Sequence, residues 1–122
     1  MLDLAVIGSI RALRRPGHPD VLQTLVDMFL VRAPADLDRL MQAIEASDCD
    51  TARKAAHKLK GGCRSLGAME LGAMLGEVET AAASGAVAEM RRLALSLPER
   101  SARAIEALRH EGAPEPARVA AQ

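Results

Sequence analysis

Three residues in the middle of the chain could together accept an anionic group: His57, Lys60 and Gly61. A neutral imidazole is a nucleophile, and an ordinary histidine is largely neutral at pH 7. The lysine follows one helical turn later and would bring a cation close to incoming negative charge. Glycine at position 61 leaves no side chain in the way of a visiting molecule. This combination predicts reversible acceptance of an anionic group, with phosphoryl as the leading candidate.

The surrounding sequence predicts a helix that presents His57 to solvent. At about 100° per residue, one face is apolar and consists of Ala52, Ala56, Leu59, Cys63 and Leu66. A second face lies away from the apolar one, and its members fall within about 60° of one another: Arg53, His57, Lys60 and Arg64. We therefore expect His57 in water, within a row of positive charges. For Arg53 and Arg64, a role in the phosphate field and a role in solubility remain equally open.

Two glycines inside this helix need an explanation. Gly61 and Gly62 each cost about 1 kcal/mol relative to alanine in a helix interior. Such a cost is tolerated where another molecule must approach the backbone closely. Gly61 is on the side of His57 and fits that reason. Helix packing alone is enough to explain Gly62, and Cys63 is expected in the core.

The rest of the chain predicts an all-α fold, an up-and-down antiparallel four-helix bundle with an additional short N-terminal helix. Apolar spacing and breaker residues indicate a helix over 3–14, a second from about 20 to a break at Ala33-Pro34, and a third over 34–46. The helix that carries His57 follows, from an N-cap at Asp48 or Asp50 to Gly67. Two more helices are indicated, one over 68–83 and one from about 86, which has a kink or break near Leu97 at Pro98. Residues 1–111 form the bundle, and 112–122, with two prolines and no periodicity, are expected to be a disordered tail.

Composition excludes several other classes of protein. The 16 basic and 16 acidic residues cancel, and only 1% of residues are aromatic, which disfavours nucleic-acid binding. No apolar run is long enough to span a membrane, and the N-terminus lacks the basic start of a signal peptide. Two cysteines without CxxC spacing and three scattered histidines predict no metal site and a reducing, cytoplasmic location. A monomer is expected, because one bundle accounts for most of the apolar stripes.

The motif A-H-x-L-K-G at 56–61, followed by L-G-A at 66–68, resembles the signature of histidine phosphotransfer (HPt) domains of bacterial multistep phosphorelays. The resemblance implies that His57 carries the phosphoryl group, that Lys60 stabilises it, and that Gly61 leaves room for a receiver domain. Family members usually have small hydroxyl residues after that glycine, and many have a glutamine where this chain has Glu79. A carboxylate there could hold the imidazole N–H but would also repel phosphate.

The resemblance further implies a phosphohistidine carrier in two-component signal transduction rather than an enzyme. Its partners would be response-regulator receiver domains and a hybrid sensor histidine kinase. The chain lacks GxxxxGK[ST] and GxGxxG motifs, so phosphorylation from ATP by this chain is not expected. No cofactor is expected on the chain itself, and Mg²⁺ is expected on the partner receiver.

Two alternatives remain open. A non-catalytic helical adaptor would bind receiver or kinase domains without phosphotransfer, and the departures at Gly62, Cys63 and Glu79 would then mark decay. A helical nucleic-acid binder would use Arg53, Lys60 and Arg64, and it predicts a steeply salt-dependent affinity. The zero net charge disfavours the second alternative.

Overall fold

The computed structural model describes residues 2–18 and 20–111 and contains six helices there. They are α1 (Leu4–Arg11), α2 (Val21–Glu45), α3 (Cys49–Ser65), α4 (Met69–Ala83), α5 (Val87–Ala94) and α6 (Leu97–Glu111). Helix α3 packs on α2 and α4, and α5 and α6 pack against α2 and α4 to complete the bundle. The predicted four-helix bundle with a short N-terminal helix is confirmed, with α5 and α6 together forming its last member.

Helix α2 runs without interruption from Val21 to Glu45, so the predicted break at Ala33-Pro34 is wrong. A proline inside a helix removes one backbone hydrogen bond and costs about 3 kcal/mol. Leu22, Val26, Leu40 and Ile44 are buried along α2, on both sides of the proline. Each buried aliphatic side chain contributes about 1.5–3 kcal/mol, so packing of both halves against the same core outweighs the local cost.

The predicted interruption near Leu97 is confirmed. Helix α5 ends at Ala94, and α6 begins at Leu97, where Pro98 occupies the first turn. Proline is tolerated in that position because the first N–H groups of a helix have no intrahelical partner. Leu97 itself is fully buried, so the break places an apolar side chain in the core.

Helix α1 is shorter than predicted. The sequence places Leu4, Ile7, Ile10 and Leu13 at three-residue steps, and only the middle two of these side chains are buried. Ile7 and Ile10 reach the core, whereas Leu4 and Leu13 are exposed. Leu13 lies beyond the end of α1 at Arg11, in a turn, so the helical spacing no longer directs its side chain inward.

Both ends of α3 are fixed by residues that the sequence identifies. At the start, the Asp48 carboxylate accepts a hydrogen bond of 3.2 Å from the Thr51 N–H, which makes Asp48 the N-cap. At the end, Gly67 adopts a φ of 79°, and the Ala68 N–H donates back to the Cys63 carbonyl. A Cβ at position 67 would lie 2.9 Å from the Asp3 carbonyl oxygen, so the segment before α1 also requires this glycine.

The predicted domain boundary cannot be compared with the structure, because the expected disordered tail, 112–122, lies outside the described residues. No helix within residues 2–18 and 20–111 is both long and apolar enough to cross a lipid bilayer.

Candidate functional site

Helix α3 presents its apolar face to the core and His57 to solvent, as predicted. Every member of the predicted stripe is buried, namely Ala52, Ala56, Leu59, Cys63 and Leu66, and Ala55 is buried as well. The His57 side chain is 71% exposed, on a helix whose two ends are capped. The imidazole is therefore held by a rigid element while remaining open to another molecule.

One ring nitrogen of His57 is engaged by Glu79 on α4. The Nδ1 atom lies 2.9 Å from Oε2 and 3.3 Å from Oε1 of that carboxylate. An ionised carboxylate can only accept hydrogen bonds, so the neutral ring donates from Nδ1 and leaves Nε2 unprotonated. No described residue hydrogen-bonds to Nε2, and this nitrogen is the available nucleophile.

The Glu79 carboxylate is held in its charged form by its two partners. Burial disfavours the charge, but hydrogen bonds from Lys60 and His57 outweigh burial, and the pKa of Glu79 lies below its ordinary value. The Lys60 Nζ donates to Oε1 at 3.1 Å, while His57 contacts mainly Oε2. A single carboxylate thus connects the two residues that the sequence motif places one turn apart.

Lys60 differs from the prediction, because it is not a freely solvated cation in a row of positive charges. Its side chain is only 18% exposed and lies against α4. Its stem lies over Gly76, where a Cβ would be in ordinary contact with the Lys60 Cδ at 3.6 Å, and its Nζ donates to Glu79. The ammonium group is therefore fixed beside Glu79 and His57 rather than sampling many rotamers.

The other basic residues near His57 also have carboxylate partners. Arg53 and Lys54 pair with Asp50 at 3.2 and 3.0 Å, and Lys58 pairs with Asp36 of α2 at 3.3 Å. The positive charge around His57 is therefore partly compensated, with Arg53 and Lys54 sharing one carboxylate, in place of the predicted row of positive charges.

Arg64 is the exception among the predicted basic residues. It is exposed, forms no ion pair with a described residue, and has its stem beside Gly72 of α4. It lies about two helical turns beyond His57.

The pair of Lys58 and Asp36 was missed by sequence reasoning. Asp36 is nearly buried on α2, on the same side as Ala33 and Leu40. The available signal was its spacing. Asp36 lies three positions after Ala33 and four before Leu40, which places this acidic residue on the core face of the helix.

The two adjacent glycines of α3 face different environments. A Cβ at Gly61 would meet nothing within 4 Å, so the backbone there is open to solvent. A Cβ at Gly62 would lie 3.3 Å from the ring of Phe29, the single aromatic residue of the chain. Packing against α2 therefore explains Gly62, whereas nothing within the described residues requires glycine at position 61.

Cys63 is a core residue, as expected. It is fully buried, and burial raises the pKa of its thiol to about 12. A thiol that stays protonated is a poor nucleophile, which leaves His57 as the nucleophile of this face.

An apolar groove lies between α2 and α3, the helix that carries His57. Its lining includes Leu25, Met28, Phe29, Leu59 and Gly62. Leu25 and Met28 are exposed although they are large and apolar.

In the described part of the chain, no three His, Cys, Asp or Glu side chains come together as a set of metal ligands.

This site and fold agree with the comparisons to known proteins. Residues 24–111, most of the chain, match the model of the Hpt domain. The chain therefore belongs to the Hpt domain family, which confirms the resemblance carried by the motif around His57.

Two relatives share the fold or the sequence. The sensor histidine kinase AruS of Pseudomonas aeruginosa is 37% identical over 91 residues, which are 75% of this chain but only 9% of that kinase. The crystal structure of histidine-containing phosphotransfer protein B (HptB) from Pseudomonas aeruginosa superimposes with a TM-score of 0.79 at 25% identity, covering 91% of this chain and 93% of that one.

Proposed function

We propose that this chain is a phosphorelay intermediate of two-component signal transduction. It accepts a phosphoryl group on His57 from a receiver-domain aspartate and passes the group to another receiver. The observation that carries the proposal is the exposed imidazole whose Nδ1 is held by Glu79 and whose Nε2 is unengaged. Membership of the Hpt family supports the same function.

The transfer forms one bond and breaks one bond. The Nε2 lone pair attacks phosphorus, the bond from phosphorus to the receiver's aspartate oxygen breaks, and its electron pair returns to that carboxylate. The proton on Nδ1 stays in place, hydrogen-bonded to Glu79. The same step runs in reverse when a second receiver accepts the group.

The chain's contribution is position, access and a nearby cation. A group held in the correct geometry reacts as though its effective concentration were very high. Lys60 lies one turn from His57 and would interact with the phosphoryl oxygens, while open backbone at Gly61 admits the partner. The receiver would supply Mg²⁺ and the carboxylates that stabilise the transferring group. This division of labour makes the chain a phosphocarrier rather than an enzyme.

The groove between α2 and α3 is the proposed docking surface for the receiver. It is apolar, contains exposed Leu25 and Met28, and is lined on one side by Leu59 and Gly62 of the helix that carries His57. Exposed apolar patches beside a reactive group commonly mark a protein-binding surface. A hybrid sensor histidine kinase is the proposed source of the phosphoryl group in the relay.

The test is transfer of labelled phosphoryl from a phosphorylated receiver domain. Wild-type protein should take up the label in an acid-labile, alkali-stable form, as a phosphoramidate does. His57→Gln should take up none while keeping its helical circular dichroism. His18→Gln is the matched control, because it removes an exposed histidine from a turn and should leave uptake unchanged.

The same experiment separates transfer from binding alone. If wild-type protein binds receivers but never becomes labelled, the adaptor alternative is correct and the phosphocarrier proposal is wrong. Uptake by His57→Gln would also contradict the proposal, because the phosphoryl group would then reside elsewhere.

A further inference from the structure

We propose that Glu79 sets the direction of phosphoryl flow by neutralising Lys60, so that phosphorylated His57 is biased towards donation. This inference rests on the proposed function and concerns how the same site is tuned. Its physical content is a charge balance: a lone ammonium beside the phosphoryl group would stabilise phosphohistidine, whereas an ammonium paired with a carboxylate does so much less.

The first observation is the geometry of the pair. Lys60 and Glu79 are in contact at 3.1 Å, and their side chains are only 18% and 20% exposed. The lysine stem lies over Gly76 of α4, so partial burial and the hydrogen bond together keep the ammonium beside the carboxylate. The pair carries a net charge of zero beside the ring that would hold the phosphoryl group.

The second observation is that no nearby cation takes over the role of Lys60. Arg53 and Lys54 share Asp50, Lys58 pairs with Asp36, and all three basic side chains are at least 43% exposed, so solvent screens their charge. A phosphoryl group carries about two negative charges at neutral pH, so the field at His57 decides how stable the phosphorylated state is. With Lys60 paired and the exposed cations screened by solvent, the site offers that group little net attraction.

The third observation is the position of Glu79 relative to the ring. Its carboxylate holds Nδ1 at 2.9 Å, so it lies on the opposite side of the imidazole from Nε2. From there it repels phosphoryl oxygens across one ring without blocking the attacking nitrogen. A glutamine side chain at this position could accept the same N–H hydrogen bond without the charge.

The experiment measures the equilibrium of phosphoryl exchange between His57 and one receiver. Glu79→Gln keeps an oxygen acceptor for Nδ1 and removes the negative charge. We expect the equilibrium to shift towards phosphorylated His57 by about tenfold, which corresponds to about 1.4 kcal/mol. Imidazole ¹⁵N shifts of the unphosphorylated variant should still report the Nδ1–H tautomer, which shows that the ring remains in place.

A second variant tests the compensation itself. Lys60→Gln should shift the equilibrium in the opposite direction, towards the receiver, and the shifts should cancel in the double variant. Loss of packing or of folding would not produce opposite signs that cancel. Glu77→Gln is the matched control, because Glu77 is an exposed carboxylate on α4 outside the His57 contacts, and its shift should be less than twofold.

The outcomes separate this inference from the proposed function. If wild-type protein never accepts phosphoryl, the proposed function fails. If transfer occurs but Glu79→Gln leaves the equilibrium unchanged or moves it towards the receiver, the proposed function stands and the role of Glu79 is refuted.

Discussion

Replacement of Gly61 by alanine should make the protein more stable and a poorer phosphoryl acceptor at the same time. The residue lies in the interior of α3, where glycine costs about 1 kcal/mol relative to alanine. An added Cβ would meet nothing within 4 Å, so no clash offsets the gain in helix propensity. For a chain of this length, 1 kcal/mol corresponds to a rise in Tm of about 3–5 °C.

The expected loss of phosphoryl transfer comes from contact between the added side chain and the receiver, and not from a change in the fold of this chain. If a receiver packs against the open backbone beside His57, a methyl group at position 61 slows transfer and the larger side chain of Gly61→Leu reduces it by at least tenfold. The assays are thermal unfolding followed by circular dichroism, and initial rates of label transfer from a phosphorylated receiver.

Two other glycines serve as matched controls. Gly8 is also open within a helix, so Gly8→Ala should show the stability gain without lying near His57. Gly62→Ala should gain less, because its Cβ would lie 3.3 Å from the Phe29 ring. The reasoning is refuted if Gly61→Ala lowers Tm, or if Gly61→Leu is folded and accepts phosphoryl at the wild-type rate.

Two further predictions concern stability. Asp48→Ala should lower Tm through loss of the α3 N-cap, whereas Asp48→Asn should largely keep the cap. Hydrogen bonds from Thr51 lower the pKa of Asp48 in the folded protein. The stabilisation by its carboxylate is therefore present above the unfolded pKa of about 3.9 and is lost as pH falls through the lower, native pKa. The Tm difference between wild type and Asp48→Ala should shrink as pH is lowered, and a difference that stays constant would contradict this. Ser101→Ala should raise the urea midpoint, because the buried Ser101 hydroxyl has no hydrogen-bond partner in the described residues. A lower midpoint would mean that this hydroxyl is satisfied after all.

Much of the site was predictable because its determinants are local. The apolar face of α3 follows from residues three and four apart, which fixes both the burial of Cys63 and the exposure of His57. The ends of the helix follow from nearby residues: the Asp48 carboxylate caps its start, and Gly67 forms the turn at its end. Such features depend on backbone geometry alone and carry over from sequence to structure.

Prediction failed where packing between helices competes with local preference. Pro34 is a helix breaker by its own chemistry, yet α2 continues through it because its two halves bury side chains in one core. The exposure of Leu4 and Leu13 has a related cause. A three-residue spacing predicts which side chains share a helix face, but it does not predict how far neighbouring helices cover that face.

By itself, the sequence determined the class of the fold, the phosphotransfer motif and the helix face on which His57 lies. Only the tertiary structure decided the charge state of the site, because Glu79 is separated by 19 residues from Lys60 and by 22 from His57. Packing of α3 against α4 brings these groups within hydrogen-bond distance and gives Lys60, one of the predicted row of cations, a carboxylate partner. Coulomb energy depends on distance in space, and spacing along one helix gives that distance only within that helix.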